Sequence, residues 1–182
     1  SLSYMAWKSA DPGVLFIDTI NRYNVLKKKH LIECPNPCGE QVLTPYSCCN
    51  LSAINVNSFV MNDEMNWEEL YKTSYKVMKL MDNLIDVMEF PDERFEENTK
   101  KFRQVGIGPM GMSDAMFNIG IKYDSLTGKE FAAKVMRTIT TACVECSADM
   151  AAEHGPFHEY EDFKEDVEKI ISKLIDNDEK VM

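Results

Sequence analysis

Between Asn66 and Met88 the apolar side chains Leu70, Tyr71, Tyr75, Val77, Met78, Met81, Leu84, Ile85 and Met88 return at the spacing of one helix face. That spacing predicts a long amphipathic helix, with Asn66 as its cap and Phe90-Pro91 as its end, because the residue before a proline avoids helical conformation. Ser125 or Thr127 opens a still longer run that lasts to about His154, where Gly155-Pro156 stops it. Shorter helices are expected from Asp11-Pro12-Gly13 through Tyr23, from Pro91 to about Phe102 and from Ser113 to Asn118. A charged one is expected from Glu161 to about Asp176, with Phe163, Val167, Ile170, Ile171 and Leu174 on one face. A short strand is expected at Cys49 to Val56 and a glycine-rich turn at Gly106 to Gly111. The architecture is mostly helical, with little strand of its own.

Length and charge narrow the function. The 182 residues, 45% of them hydrophobic, can enclose one sizeable core. Thirty acidic against twenty basic residues leave a net charge of -10, which repels a phosphate backbone and argues against a nucleic-acid partner. No apolar run has the length of a membrane span, and the N-terminus lacks the basic-then-apolar order of a signal peptide, so the chain reads as cytosolic. The six cysteines are then expected as reduced thiols, and the twelve methionines as adaptable core packing.

The segment from His30 to Pro45, dense in proline and glycine, reads as a loop and holds an unusual grouping, Asn36-Pro37-Cys38-Gly39-Glu40, followed by Tyr46-Ser47-Cys48-Cys49-Asn50-Leu51. A cysteine S–H bond is weak enough for the sulfur to hold a radical and exchange a hydrogen atom with an activated sugar C–H. Pro37 and Gly39 restrict and turn the chain on either side of Cys38. If the segment is extended, Asn36, Cys38 and Glu40 share one side. A carboxylate there can take a proton from a hydroxyl, and an amide can donate to and accept from it.

These motifs resemble the adenosylcobalamin-dependent (class II) ribonucleotide reductases. The resemblance extends to Ala10-Asp11-Pro12-Gly13-Val14-Leu15-Phe16-Ile17-Asp18, to Val105-Gly106-Ile107-Gly108-Pro109-Met110-Gly111, to Ile121-Lys122-Tyr123-Asp124-Ser125 and to Glu153-His154-Gly155-Pro156-Phe157, covering residues 1 to about 163. It implies an α/β fold: a mostly helical segment of the ten-stranded α/β barrel of ribonucleotide reductases, with a finger loop at about 34–49. By the same resemblance Cys38 carries a thiyl radical that takes hydrogen from the ribose 3′ carbon, Glu40 is the base on the 3′ hydroxyl, Asn36 bonds the sugar hydroxyls, and Cys49 is one of two reducing thiols. It further implies adenosylcobalamin as cofactor, a ribonucleotide substrate, a thioredoxin-like reductant and the remainder of the reductase chain as partners, and it admits a homodimer. Cys34 and Cys48 are extra thiols against that pattern, and Ser52-Ala53 stands where Gly-Ser is more usual. The second redox cysteine and the phosphate loop have no match, so the chain is expected to be a central fragment, inactive alone.

Rival readings attach to the same residues. The large subunit of the di-iron reductases shares Asn-x-Cys-x-Glu and a later Cys-Asn-Leu, and a non-catalytic helical interaction module would make the cysteines incidental. Zinc prefers ligand pairs two to four residues apart, whereas Cys48 and Cys49 are adjacent and His30 is the only imidazole nearby; no metal is expected. Cys143 and Cys146 form Cys-x-x-Cys in mid-helix, where packing is the better reading. Gly106 to Gly111 satisfies G-x-G-x-x-G, but Pro109 removes a backbone donor from a would-be phosphate cradle. His154 and His158 read as an exposed pair.

Overall fold

The computed structural model describes residues 1–175, which form two compact units, Ser1–Pro45 and a larger one beginning at Tyr46. In the first, α1 (Leu2–Ser9) starts at Ser1, whose hydroxyl accepts from the Tyr4 amide, and α2 (Ile17–Tyr23) follows. The expected cap at Asp11 is not used. The helix begins at Ile17 behind Phe16, which offers no side-chain acceptor, and Asp18 supplies the acid that favours a helix N-terminus.

Two asparagines then fold the chain back. Asn21 Oδ1 accepts from the Ile32 amide at 2.9 Å while its Nδ2 donates to the Ile32 carbonyl at 2.8 Å, so one side chain imitates a strand neighbour. Asn24, 8% exposed, likewise donates to the His30 carbonyl and accepts from the Leu26 amide. Both side-chain amides are thereby satisfied, and Leu26 and Ile32 are buried beside them.

In the larger unit β1 (Asn50–Asn55) pairs in parallel with β4 (Val105–Met110), in the register Asn50↔Val105 to Asn55↔Met110. The expected strand is present; the expected glycine-rich turn is itself a strand. In Val105-Gly106-Ile107-Gly108-Pro109-Met110 large and small residues alternate with the period of a strand. The chain turns only at Gly111, with φ +67°, where an added Cβ would lie 2.3 Å from Asn55 Oδ1. A two-residue hairpin, β2 (Val60–Met61) with β3 (Glu64–Met65), turns through Asn62 and Asp63, both left-handed. The described residues hold a fragment of parallel sheet, not a closed barrel.

Parallel strands need a crossover, here α3 (Trp67–Val87) and α4 (Glu93–Phe102). Asn66 caps α3 as expected, accepting from the Glu69 amide at 3.0 Å. After β4 come α5 (Met112–Ile119), α6 (Leu126–His154), which Ser125 caps by accepting from the Gly128 amide, and α7 (Tyr160–Ile175). The expected end of α7 at Asp176 and the Leu174 side chain lie outside what the structure describes. Helix α6 lies along α3, and Phe131, Val135 and Ile139 join Leu70, Ile54, Val56, Ala115 and Met116 in the core. At the far end of that seam Tyr71 and Tyr75 of α3 donate to Glu145 and Asp149 of α6, and the Asp149 carboxylate pushes the Tyr75 phenol up to about 12. Cys143 and Cys146 lie in this seam; Cys146 is fully buried, and burial pushes the Cys143 thiol up to about 11. The packing reading of that pair is the one the fold uses.

Helix α4 is clamped at its C-terminal end. Arg103, left-handed at φ +49°, closes α4 and spreads its guanidinium over Asp82 and Asp86 of α3: Nε and Nη2 donate to the Asp82 carboxylate at 2.8 and 3.0 Å, and Nη1 to Asp86 at 2.9 Å. These bonds hold the Asp86 carboxyl below the usual carboxylate range. The sign follows: the depressed group stabilises the fold above the unfolded carboxylate value, near pH 4, and this contribution is lost as pH falls through its folded value. Arg103→Met should cost about 2 kcal/mol in urea denaturation near neutrality, the scale of charge-assisted bonds. It should also flatten the acid limb of a stability–pH profile; an unchanged midpoint and an unchanged acid limb would dismiss the clamp.

Candidate active site

Residues Asn36 to Gln41 form a tight turn on a short antiparallel footing, the bridge Pro35↔Val42. Pro37 and Cys38 occupy the bend, and Gly39 follows at φ +82°, a conformation that glycine adopts without steric cost. The segment is therefore not extended, and the alternation that would set Asn36, Cys38 and Glu40 on one side does not apply. What unites the three is the turn itself.

Asn36 closes it. Its Oδ1 accepts from the Gly39 amide at 3.1 Å and from the Gln41 amide at 3.0 Å, its carbonyl accepts from the Gly39 amide, and its own amide donates to the Gln41 carbonyl. Two backbone donors on one side-chain atom identify that atom as the oxygen. Asn36 is half-buried, while Cys38 and Glu40 are exposed at the tip. The loop thus presents a thiol and a carboxylate to its surroundings, held by backbone geometry.

Cys49 belongs to the larger unit, immediately before β1. It is half-buried, its S–H lies 3.6 Å from the Asn50 carbonyl, and burial, helped by the neighbouring Cys48 thiol, pushes it above the ordinary cysteine value. Such a sulfur is protonated at neutral pH, suited to giving hydrogen rather than to standing as a thiolate. The Cys48 amide donates to Thr99 Oγ1 of α4 at 3.1 Å, and Thr99 is 3% exposed. Sequence reasoning does not reach Thr99 or the Asn21 and Asn24 braces, because nothing in a lone threonine or asparagine announces which backbone group its side chain will meet. Cys34 is exposed, like Cys38. Among the described residues no three His, Cys, Asp or Glu side chains gather as a metal site, and no helix is long and apolar enough to cross a membrane.

A family model for the ribonucleotide reductase barrel domain matches residues 1–179. The chain belongs to the ribonucleotide reductase family. The match runs through α7, beyond the motifs that end near residue 163. A vitamin B12-dependent ribonucleoside-diphosphate reductase of Thermoplasma acidophilum is 39% identical over 153 residues, 84% of this chain and 20% of that protein. One of the same description from Mycobacterium tuberculosis is 35% identical over 157 residues, 86% of this chain and 23% of its own. A ribonucleoside-diphosphate reductase subunit alpha of Chlamydia trachomatis is 29% identical over 166 residues, 89% of this chain and 16% of its own. The chain spans about a fifth of the length of these two B12-dependent relatives.

The stiffness of this turn is measurable. Asn36→Ala should speed amide exchange at Gln41 roughly fivefold while leaving the amides of α3 and α6 unchanged, since the lost side-chain acceptor is worth about 1 kcal/mol, whereas the Gly39 amide keeps the Asn36 carbonyl. Unaltered exchange at Gln41 would show that Asn36 does not close the turn.

Proposed function

We propose that this chain is a segment of the catalytic barrel of an adenosylcobalamin-dependent ribonucleotide reductase, and that Cys38 carries the thiyl radical that takes hydrogen from the ribose 3′ carbon. The observation that carries the reading is the exposed Cys38 thiol at the apex of a turn closed by Asn36, with Glu40 on the same turn, in a chain of this family. Glu40 acts as base toward the 3′ hydroxyl. Asn36 takes part through Nδ2 as a donor, because its oxygen is already committed to the loop. Cys49, protonated and half-buried, supplies one of the two hydrogens and ends in a disulfide whose other sulfur comes from the remainder of the reductase chain.

The cobalamin class is favoured over the di-iron class because the relatives named as B12-dependent are more similar to this chain, at 39% and 35%, than the one named as subunit alpha, at 29%. Adenosylcobalamin, when bound, supplies the radical by homolysis of its cobalt–carbon bond. The residues here fit the receiving side of that exchange: an exposed thiol on a stiff tip can lose its hydrogen atom to a group held by other parts of the enzyme. A thioredoxin-like protein in the cytosol restores the dithiol, and the segment alone is inactive.

In the full-length enzyme Cys38→Ala should abolish reduction of ribonucleotides in the presence of adenosylcobalamin, by at least a thousandfold, since no other group replaces the radical-bearing sulfur. Nucleotide affinity, read by equilibrium dialysis, should stay within about twofold. Retained turnover would remove the radical role, and a requirement for a separate iron protein would move the chain to the other class.

A further inference from the structure

Cys49 stands at the mouth of β1, and the segment from 47 to 49 lies outside the helices and strands. A sulfur that must meet both a sugar and a second sulfur needs its main chain fixed. The Cys48 amide is tied across fifty-one positions of sequence to Thr99 Oγ1 at 3.1 Å, and Thr99 is buried at 3% exposure, shielded from competing water.

Helix α4, which carries Thr99, is braced within the larger unit. Two residues beyond Thr99, Lys101 forms a 2.9 Å ion pair with Glu159, both side chains about one-fifth exposed, and its carbonyl accepts from the His158 amide. Phe102 is buried, and Arg103, whose amide donates to the Thr99 carbonyl, grips Asp82 and Asp86 of α3. Arg103 also leads within two residues into β4, whose Val105 is the ladder partner of Asn50. The same short stretch of α4 thus fixes the strand beside Cys49 and, through Thr99, the peptide before it.

We propose that Thr99 is a positioning residue for Cys49, holding the Cys48 amide so that α4 sets the reach of the Cys49 sulfur. The proposal rests on the redox role given to Cys49 above. In this role Thr99 acts through the backbone, by way of the Cys48 amide.

The test uses the full-length reductase and two variants, Thr99→Val, which keeps the shape but removes the acceptor, and Thr99→Ser, which keeps the acceptor. Alkylation by iodoacetamide is followed peptide by peptide, with Cys146, fully buried in α6, as the internal measure of global opening. Thr99→Val should raise the Cys49 rate roughly fivefold, the scale of one lost buried hydrogen bond. It should leave Cys146 unchanged and lower kcat without altering KM for the nucleotide; Thr99→Ser should match the parent in all three. An unchanged Cys49 rate, equal acceleration at Cys49 and Cys146, or a serine variant that behaves like valine would each overturn the proposal. Turnover that survives Cys49→Ser would instead overturn the redox role of Cys49, an outcome separate from the alkylation result.

Discussion

Parallel pairing of β1 with β4 is the constraint on which the larger unit depends. Antiparallel neighbours can be joined by two residues, whereas parallel ones leave the chain at the wrong end and need a crossover that packs back. Here α3 and α4 make that crossover, and α6 covers α3, so the ladder is held by helices rather than by further strands among the described residues. The register is fixed from outside as well. Gly111 can approach Asn55 only because it lacks a Cβ, and Arg103 locks the residues before β4 to the second half of α3. Between these fixed ends β4 has little room to slide. A one-residue slip would also turn every side chain to the other face.

How the two sulfur positions are held differs, and the difference suits the separate roles proposed for them above. Cys38 sits on a turn whose stiffness comes from within: Pro37, a left-handed Gly39 and the Asn36 oxygen that serves two amides. Nothing distant along the chain is needed to shape that turn. Cys49 has no such local device. It is held by β1 on one side and by a side chain from α4 on the other, and its thiol is kept protonated by burial and by its neighbour. A radical position benefits from a tip that keeps its shape in isolation. A thiol that later joins a second sulfur benefits from a mount whose placement the rest of the fold sets.

Much of the architecture was legible because local chemistry decided it. Asn66 and Ser125 cap their helices with their own side chains, and the periodicity from Leu70 to Ile85 needs no knowledge of the partner helix. The family was legible from the motifs around Cys38 and Cys49. The glycine-rich stretch before Gly111 was misread because density of glycine suggests a turn, whereas alternation of Val105, Ile107 and Pro109 with small residues is what a ladder uses. Side-chain imitation of a strand by Asn21, the Arg103 clamp and the Thr99 bond were illegible for a common reason. Each depends on a partner eleven to fifty-one positions away, and no periodic signal marks an isolated polar residue as destined for one.

The turn also narrows what Asn36 can contribute to chemistry. As a free side chain an amide offers two acceptor lone pairs and two donor hydrogens. In this loop both lone pairs point at backbone amides, and a third donor on the same oxygen would displace one of them and open the bend at Gly39. In the proposed reaction only Nδ2 is left to meet a hydroxyl, as a donor toward the hydroxyl oxygen. The hydroxyl hydrogen is then free to point toward another acceptor. Glu40, on the same turn and exposed, is a carboxylate, which accepts and does not donate once ionised. In the reaction proposed above, a donor and an acceptor on one short turn would serve the two ends of an O–H bond, and the donor role of Asn36 follows from the way the loop is closed.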